Sequence, residues 1–351
     1  MKTQEFEEKA TQALRSALDE IAFAQVVEIR RPRDRSEATV DWLARVRLPD
    51  RELWLLVEVK SLGEPRLARE AANQILRDRA GFPEAYGVFI APWVSPKAAE
   101  VCAEAGIGYV DLAGNCRLAF GTVYIEKQGR PNQFAEKRDL RSLYSPKAAR
   151  VLRVLLHNPH RAWKLQALAE ESQVSLGQVH KVKSLMANRE WIRVESDGVL
   201  LSRPEELLGE WAANYSYRRN SLRQFYSSEP LSKVENDLAS TCAASGVRCA
   251  LAAFSAAARL APFVRYQRAH AYLEEVALPE VVKVLRLKEV PSGANLVLWI
   301  PYDEGIWYGA TEVGNAVVTS PIQTYLDLHN MHERGEDAAD FLLSQVIKPQ
   351  W

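Results

Sequence analysis

The sequence predicts a multi-domain α/β protein, and three observations carry that prediction. The chain has 351 residues, past the roughly 250–300 at which a single core stops growing, which favours two or three domains. Its hydrophobic spacing switches repeatedly between the alternation of strands and the longer period of amphipathic helices. At 47% hydrophobic and 26% charged residues, the composition suits buried cores and excludes a disordered or fibrous chain.

Charge is balanced overall, with 45 Lys and Arg against 45 Asp and Glu, which excludes a uniformly polybasic binder. By segment it is not. Lys137 to Arg193 holds 12 basic and 4 acidic residues, a balance of +8, whereas Pro301 to Trp351 holds 2 basic and 8 acidic, a balance of −6. Such a basic block suits a polyanion, although solvated surface faces give the same pattern. Cys102, Cys116, Cys242 and Cys249 lack zinc-ligand spacing and read as reduced core thiols. The N-terminal segment has no signal-peptide core, and no apolar run approaches the roughly 18 residues of a membrane span, so a cytoplasmic protein is expected.

Residues 1–130 read as an α/β domain: an amphipathic helix, strands over 38–48 and 53–60, a helix over 66–80, then strand, helix and strand to about Glu126. The turn Pro49-Asp50-Arg51-Glu52 makes the two strands a hairpin, whose register sets Asp41 across from about Lys60. Strand alternation puts Glu58 and Lys60 on one face. Two carboxylates and an amine so grouped suit phosphodiester hydrolysis, with the carboxylates holding Mg²⁺ and the lysine orienting water or phosphate. The plainer alternative is an exposed cross-strand charge pair. Against it, Leu53 to Val59 is nearly all apolar, as in a strand buried on both faces. Asp41 followed by Glu58-Val59-Lys60 resembles the PD-(D/E)XK nuclease superfamily, with Val40 where many members carry proline. That resemblance implies a restriction-endonuclease-like mixed sheet with flanking helices. It also implies Gln74 beside Asp41, Glu58 and Lys60 as a catalytic residue, Glu20 as a third metal carboxylate, and Mg²⁺ as cofactor.

Residues 131–144 are polar and turn-rich, as expected of a linker. Over 145–204, Ser145-Pro146 starts a helix with Ala148, Val151, Leu152 and Leu155 on one face. KLQALAEESQ forms a second, and Ser175 caps a third in which Val179, Val182, Leu185 and Met186 point inward. Two β-like runs around Ser196-Asp197-Gly198 then make a hairpin. Three helices and a hairpin in the basic block resemble bacterial winged helix-turn-helix regulators. The DNA-binding candidates are Lys164, Ser175, Gln178, Lys181, Lys183 and Arg193, with Arg150 and Arg161 as further phosphate contacts. A winged helix that binds only protein is the alternative.

Residues 205–230 read as a helical connector whose tyrosines and arginines, Tyr215 to Tyr226, suit either packing or single-stranded bases. A third α/β domain follows over 231–351. There residues 246–263 read as a small-residue helix and 295–319 as strands with turns at Asp303-Glu304-Gly305 and Gly314-Asn315. Asp303 and Glu304 suit a turn better than a metal site, and the last helix presents an acidic face.

Taken together, the turn Asp111-Leu112-Ala113-Gly114-Asn115, the winged helix, Pro301-Tyr-Asp-Glu-Gly305, Pro321, Gln323 and the Tyr325–Leu328 run resemble the AbiEi-type antitoxins, in a longer branch with a nuclease-like N-terminal domain. The resemblance implies a transcriptional regulator of a type IV toxin–antitoxin system. Its implied partners are duplex DNA and a nucleotidyltransferase-type toxin, and a palindromic site would make it a homodimer. Three functions stay open on the sequence: a DNA-binding regulator, a Mg²⁺-dependent endonuclease targeted by the winged helix, and a protein-interaction scaffold.

Overall fold

The computed structural model describes residues 3–134, 143–332 and 334–351. It is a mixed α/β chain in two compact units, Met1–Asp139 with Leu185–Glu190, and Leu140–Ser184 with Trp191–Trp351. Most of the linker expected over 131–144 falls on residues 135–142, outside the described ones.

The first unit is a seven-stranded sheet in strand order β1 to β7: Gln25–Arg30, Trp42–Arg47, Glu52–Val59, Tyr86–Ala91, Gly108–Asp111, Cys116–Phe120 and Val123–Lys127. The β1–β2–β3 and β5–β6–β7 pairs are antiparallel, and β3–β4–β5 are parallel, joined by crossover helices α2 (Pro65–Asp78) and α3 (Pro96–Glu104). Helix α1 (Thr3–Asp19) drives Ala10, Leu14 and Leu18 into one sheet face against Leu55 and Val57. Ala68, Ala71 and Ile75 of α2 and Val101 of α3 cover the other face, against Leu43 and Leu56. Alternation along β3 thereby gives odd-numbered residues to α1 and even-numbered ones to α2. Strand β1 escapes the sequence reading because QVVEIR is half-buried from Val26 on and has no alternation to mark it.

The second unit holds α4 (Pro146–His157), α5 (Leu165–Glu171) and the hairpin β8–β9 (Ile192–Glu195, Gly198–Leu201), and α6 (Leu176–Asn188) begins in it and ends in the first, so the chain order is the expected three helices and a hairpin. Val151, Leu152, Leu155, Val179, Val182 and Met186 are each buried, while Leu185 is only half-buried. Val199 bridges to Trp163 ahead of α5, and a Cβ on Gly198 would lie 2.3 Å from the Trp163 carbonyl oxygen, so only glycine lets the hairpin approach so closely.

The same unit holds a second seven-stranded sheet, in the order β13 (Lys288–Glu289), β10 (Ser221–Tyr226), β14 (Leu296–Ile300), β12 (Ala269–Leu273), β11 (Cys249–Leu251), β16 (Ala316–Val318), β15 (Thr311–Val313). Its helices are α7 (Pro204–Asn214), α8 (Leu231–Ser245), α9 (Ala253–Leu260), α10 (Leu278–Val284), α11 (Pro321–His329) and α12 (Gly335–Leu342). Two expectations are corrected here. The helical connector ends at Asn214, and Ser221–Tyr226 is a sheet strand paired to β14, because Phe225 buries where alternation points it inward. The helix expected over 246–263 is a strand, β11, followed by the shorter α9, since Gly246 in the left-handed conformation ends α8 and redirects the chain. Leu140–Ser184, with α4, α5 and the start of α6, falls in the same unit as the C-terminal sheet.

Among the described residues no helix is long and apolar enough to cross a membrane. Cys102, Cys116 and Cys242 are buried and Cys249 is half-buried.

Candidate functional sites

The end of β3 gathers most of the polar residues singled out in the first unit. Trp42 pairs with Val57, so the register sets Asp41 opposite Glu58, two residues short of the Lys60 expected. The expected register assumed a turn centred one residue later; the ladder closes at Arg47 and Glu52. Even-numbered parity turns Glu58 toward α2, where Gln74 Nε2 donates to Glu58 Oε2 at 3.0 Å. Lys60 Nζ donates to the other oxygen, Oε1, at 2.6 Å. The Val59 amide donates to Asp41 Oδ2 at 2.8 Å, which fixes one carboxylate beside the other. Asp41 is exposed, whereas Glu58 is 2% exposed. Burial raises the Glu58 pKa above the usual carboxylate range; the Lys60 hydrogen bond opposes that shift and the Asp41 charge adds to it.

A clamp that the sequence reading missed aims Asp41. Asp78, one turn past Gln74 on α2, accepts from the Thr39 and Val40 amides at 2.6 and 2.8 Å and from the Thr39 hydroxyl at 3.1 Å. Gln74 also donates to the Thr39 carbonyl at 2.5 Å. These bonds take up the backbone of 39–40, which is why β2 starts at Trp42 rather than near residue 38. The signal lay in the spacing, with two polar residues four apart on an alanine-rich helix.

Glu20 does not join this group. It pairs with Lys127 of β7, four strands from β3 in the sheet order, or about 19 Å at ordinary strand spacing. Asp41 and Glu58 are thus two carboxylates, and among the described residues no three His, Cys, Asp or Glu side chains cluster. Two carboxylates with water completing the shell is a donor set that suits Mg²⁺.

Among the three helices and hairpin, Ser175 caps α6 by accepting from the Gln178 amide at 3.3 Å, as expected. Ser175, Lys164, Lys181 and Arg193 are exposed, and Gln178 and Lys183 half-buried. Lys164, Lys181 and Lys183 make no ion pair among the described residues, while Arg193 lies 4.0 Å from Glu195 on its own hairpin. Arg150 is withdrawn from the phosphate contacts expected of it. Its guanidinium grips Asp303 through three hydrogen bonds of 2.8–3.1 Å. Asp303 also caps the turn at Gly305, and Glu304 pairs with Arg248, so both acids serve structure.

A second buried carboxylate underlies this unit. Asp327 of α11 accepts at Oδ1 from the Tyr215 and Tyr272 hydroxyls at 2.7 and 2.9 Å and from Gln323 Nε2 at 2.9 Å; its Oδ2 has no hydrogen-bond partner among the described residues. Gln323 Oε1 accepts from Arg153 of α4 at 2.5 Å. Desolvation raises the Asp327 pKa to about 7 against the opposing effect of these donors. Gln323 and Asp327, picked out in sequence for their resemblance, therefore tie α4 to the C-terminal sheet. The turn at Asp111 is a local knot of the same kind, Asn115 donating to both Asp111 oxygens.

No curated protein and no solved structure matches this chain. Residues 200–348, which run from the end of the wing through the C-terminal sheet, match the family model of the transcriptional regulator AbiEi antitoxin of type IV toxin–antitoxin systems.

Proposed function

We propose that the protein is a DNA-binding transcriptional regulator of the antitoxin type, which holds duplex DNA through the winged helix of residues 146–201. What supports this reading is that the segment matching the AbiEi family shares a unit with Lys164 and Lys181, which are exposed and make no ion pair among the described residues. Lys164, Lys181, Lys183 and Arg193 neutralise phosphates, and the exposed face of α6 enters the major groove. The AbiEi resemblance implies a nucleotidyltransferase-type toxin as partner, and a palindromic operator would make the protein a homodimer. A gel shift over a salt series is the test: affinity for duplex should fall steeply between low and moderate salt, and a flat response would refute phosphate contact.

The group at the end of β3 supports a second activity, Mg²⁺-dependent cleavage of DNA, as in PD-(D/E)XK nucleases. Asp41 and Glu58 would hold the ion, which supplies a Lewis acid for the scissile phosphate. Lys60 orients the attacking water or the phosphate, and Gln74 keeps Glu58 turned toward it. Labelled duplex incubated with Mg²⁺ or EDTA tests this; equal inertness of wild type and Lys60→Ala would leave the domain a scaffold.

A further inference from the structure

All four cysteines carry free thiols, and two of them are neighbours. Cys242 lies in the last turn of α8 and Cys249 opens β11, with Gly246 between them in the left-handed conformation that ends the helix. The Val247 amide returns to the Cys242 carbonyl at 3.1 Å, so the chain doubles back on itself between the two cysteines. Both side chains then enter the same apolar cluster, Cys242 as a core member and Cys249 packed against it. There the Cys249 thiol hydrogen-bonds to the Cys242 sulfur, which lowers the Cys242 pKa below the usual thiol range and raises that of Cys249 well above it, burial adding to the second shift. Cys249 is half-buried, and residues 243–246 and Arg248 around it are exposed, so the pair lies beside the surface. Among the described residues no group of three His, Cys, Asp or Glu side chains could hold a metal ion, here or elsewhere. The other two cysteines are placed differently: Cys102 packs on the α2–α3 face of the first sheet and Cys116 on the α1 face, with the sheet between them. Burial raises both of their pKa values, that of Cys102 to about 12.

We propose that Cys242 and Cys249 are an oxidisable dithiol, which hydrogen peroxide converts to an intrachain disulfide between the end of α8 and the start of β11. Cys242, whose thiolate the neighbouring thiol stabilises, is the nucleophile. Its sulfur attacks a peroxide oxygen, the O–O bond breaks, and Cys242 becomes a sulfenic acid while the other oxygen leaves as water with the thiol proton. The Cys249 sulfur then attacks the Cys242 sulfur; the S–S bond forms as the S–O bond breaks, and the hydroxyl leaves with the Cys249 proton as a second water. Two thiols thus give up two electrons and two protons, and the peroxide takes them up. Cys102 and Cys116 have no second thiol within reach and stay reduced.

The experiment exposes the reduced full chain to hydrogen peroxide, quenches with catalase, alkylates the remaining thiols with iodoacetamide and digests with trypsin without reduction. Cleavage after Lys233, Arg248 and Arg259 puts the two cysteines on separate peptides, 234–248 and 249–259. After peroxide these two peptides should be recovered joined, from protein that runs as a single chain on a non-reducing gel, and two of the four thiols should be lost to alkylation. Cys102 and Cys116 should be alkylated as fully as in untreated protein. In Cys249→Ser the reaction should stop at the sulfenic acid, which dimedone traps on Cys242, whereas Cys242→Ser should give no dimedone adduct on Cys249. Recovery of 234–248 and 249–259 apart and alkylated after peroxide overturns the proposal. So does a bridge to Cys102, to Cys116 or to a second chain.

Discussion

Two buried carboxylates, one in each unit, have raised pKa values for the same physical reason and yet sit in opposite surroundings. Glu58 is at a sheet end beside the exposed Asp41 and a lysine side chain that keeps 26% of its surface open. Asp327 is sealed by two tyrosines and a glutamine, with one oxygen bonded three times and the other to none of the described residues. Desolvation without access to solvent or ligand makes a structural knot; desolvation beside an open, charged neighbour makes a place where a cation or a proton can be exchanged.

The largest way to sharpen this contrast is pH. A carboxyl whose folded pKa lies above its unfolded value stabilises the fold fully below the unfolded value and loses that contribution as pH rises through the folded one. For Asp327 the window runs from its ordinary value near 3.8 to about 7, and the shift corresponds to ~4 kcal/mol. The melting transition of the second unit should fall as pH rises across that window, and Asp327→Asn should flatten the dependence. A melting curve equally steep in the variant would place the titration elsewhere.

Asp78→Ala removes the acceptor of three hydrogen bonds at Thr39 and Val40, and should cost the first unit ~1–3 kcal/mol in denaturant unfolding. If Asp41 holds a metal, Asp78→Asn should also weaken the stabilisation by Mg²⁺ more than it weakens the metal-free protein.

Glu58→Gln should cost the first unit a similar ~1–3 kcal/mol, because an amide accepts at one oxygen where the carboxylate accepts from both Lys60 and Gln74. It should abolish any rise in melting temperature on adding Mg²⁺, as binding to the folded state alone produces that rise. An equal rise in wild type and variant would remove Glu58 from the ligands.

The smallest effect concerns salt dependence. Lys181→Ala should lower the slope of log affinity against log salt by about one. Arg150→Ala should leave it unchanged, since Asp303 already holds that guanidinium. A reduced slope for Arg150→Ala would mean that the pair opens on DNA.

The hairpin β2–β3, the grouping of Asp41 with Glu58 and Lys60, and the order of three helices and a hairpin over 146–201 were legible in the sequence, because each depends on local spacing. Gln74 was named only through a resemblance, and α2 brings it within hydrogen-bond distance of Glu58. What escaped depends on tertiary pairing. Glu20 has a charge partner, Lys127, that is 107 residues away, and Arg150 looks like any other helix cation until Asp303 arrives from 153 residues on. The tyrosine and arginine run at 215–226 misled for a related reason: aromatic residues suit helix packing and strands alike, and only the partner β14 decides.

The closeness of Gly198 to Trp163 has a practical consequence. The hairpin is pinned at its second strand, so its tip, Ser196-Asp197, is exposed and free of the core. A cysteine-linked dye at residue 196 would ride on a rigid stem, and its emission would register the arrival of a duplex without a label on the nucleic acid.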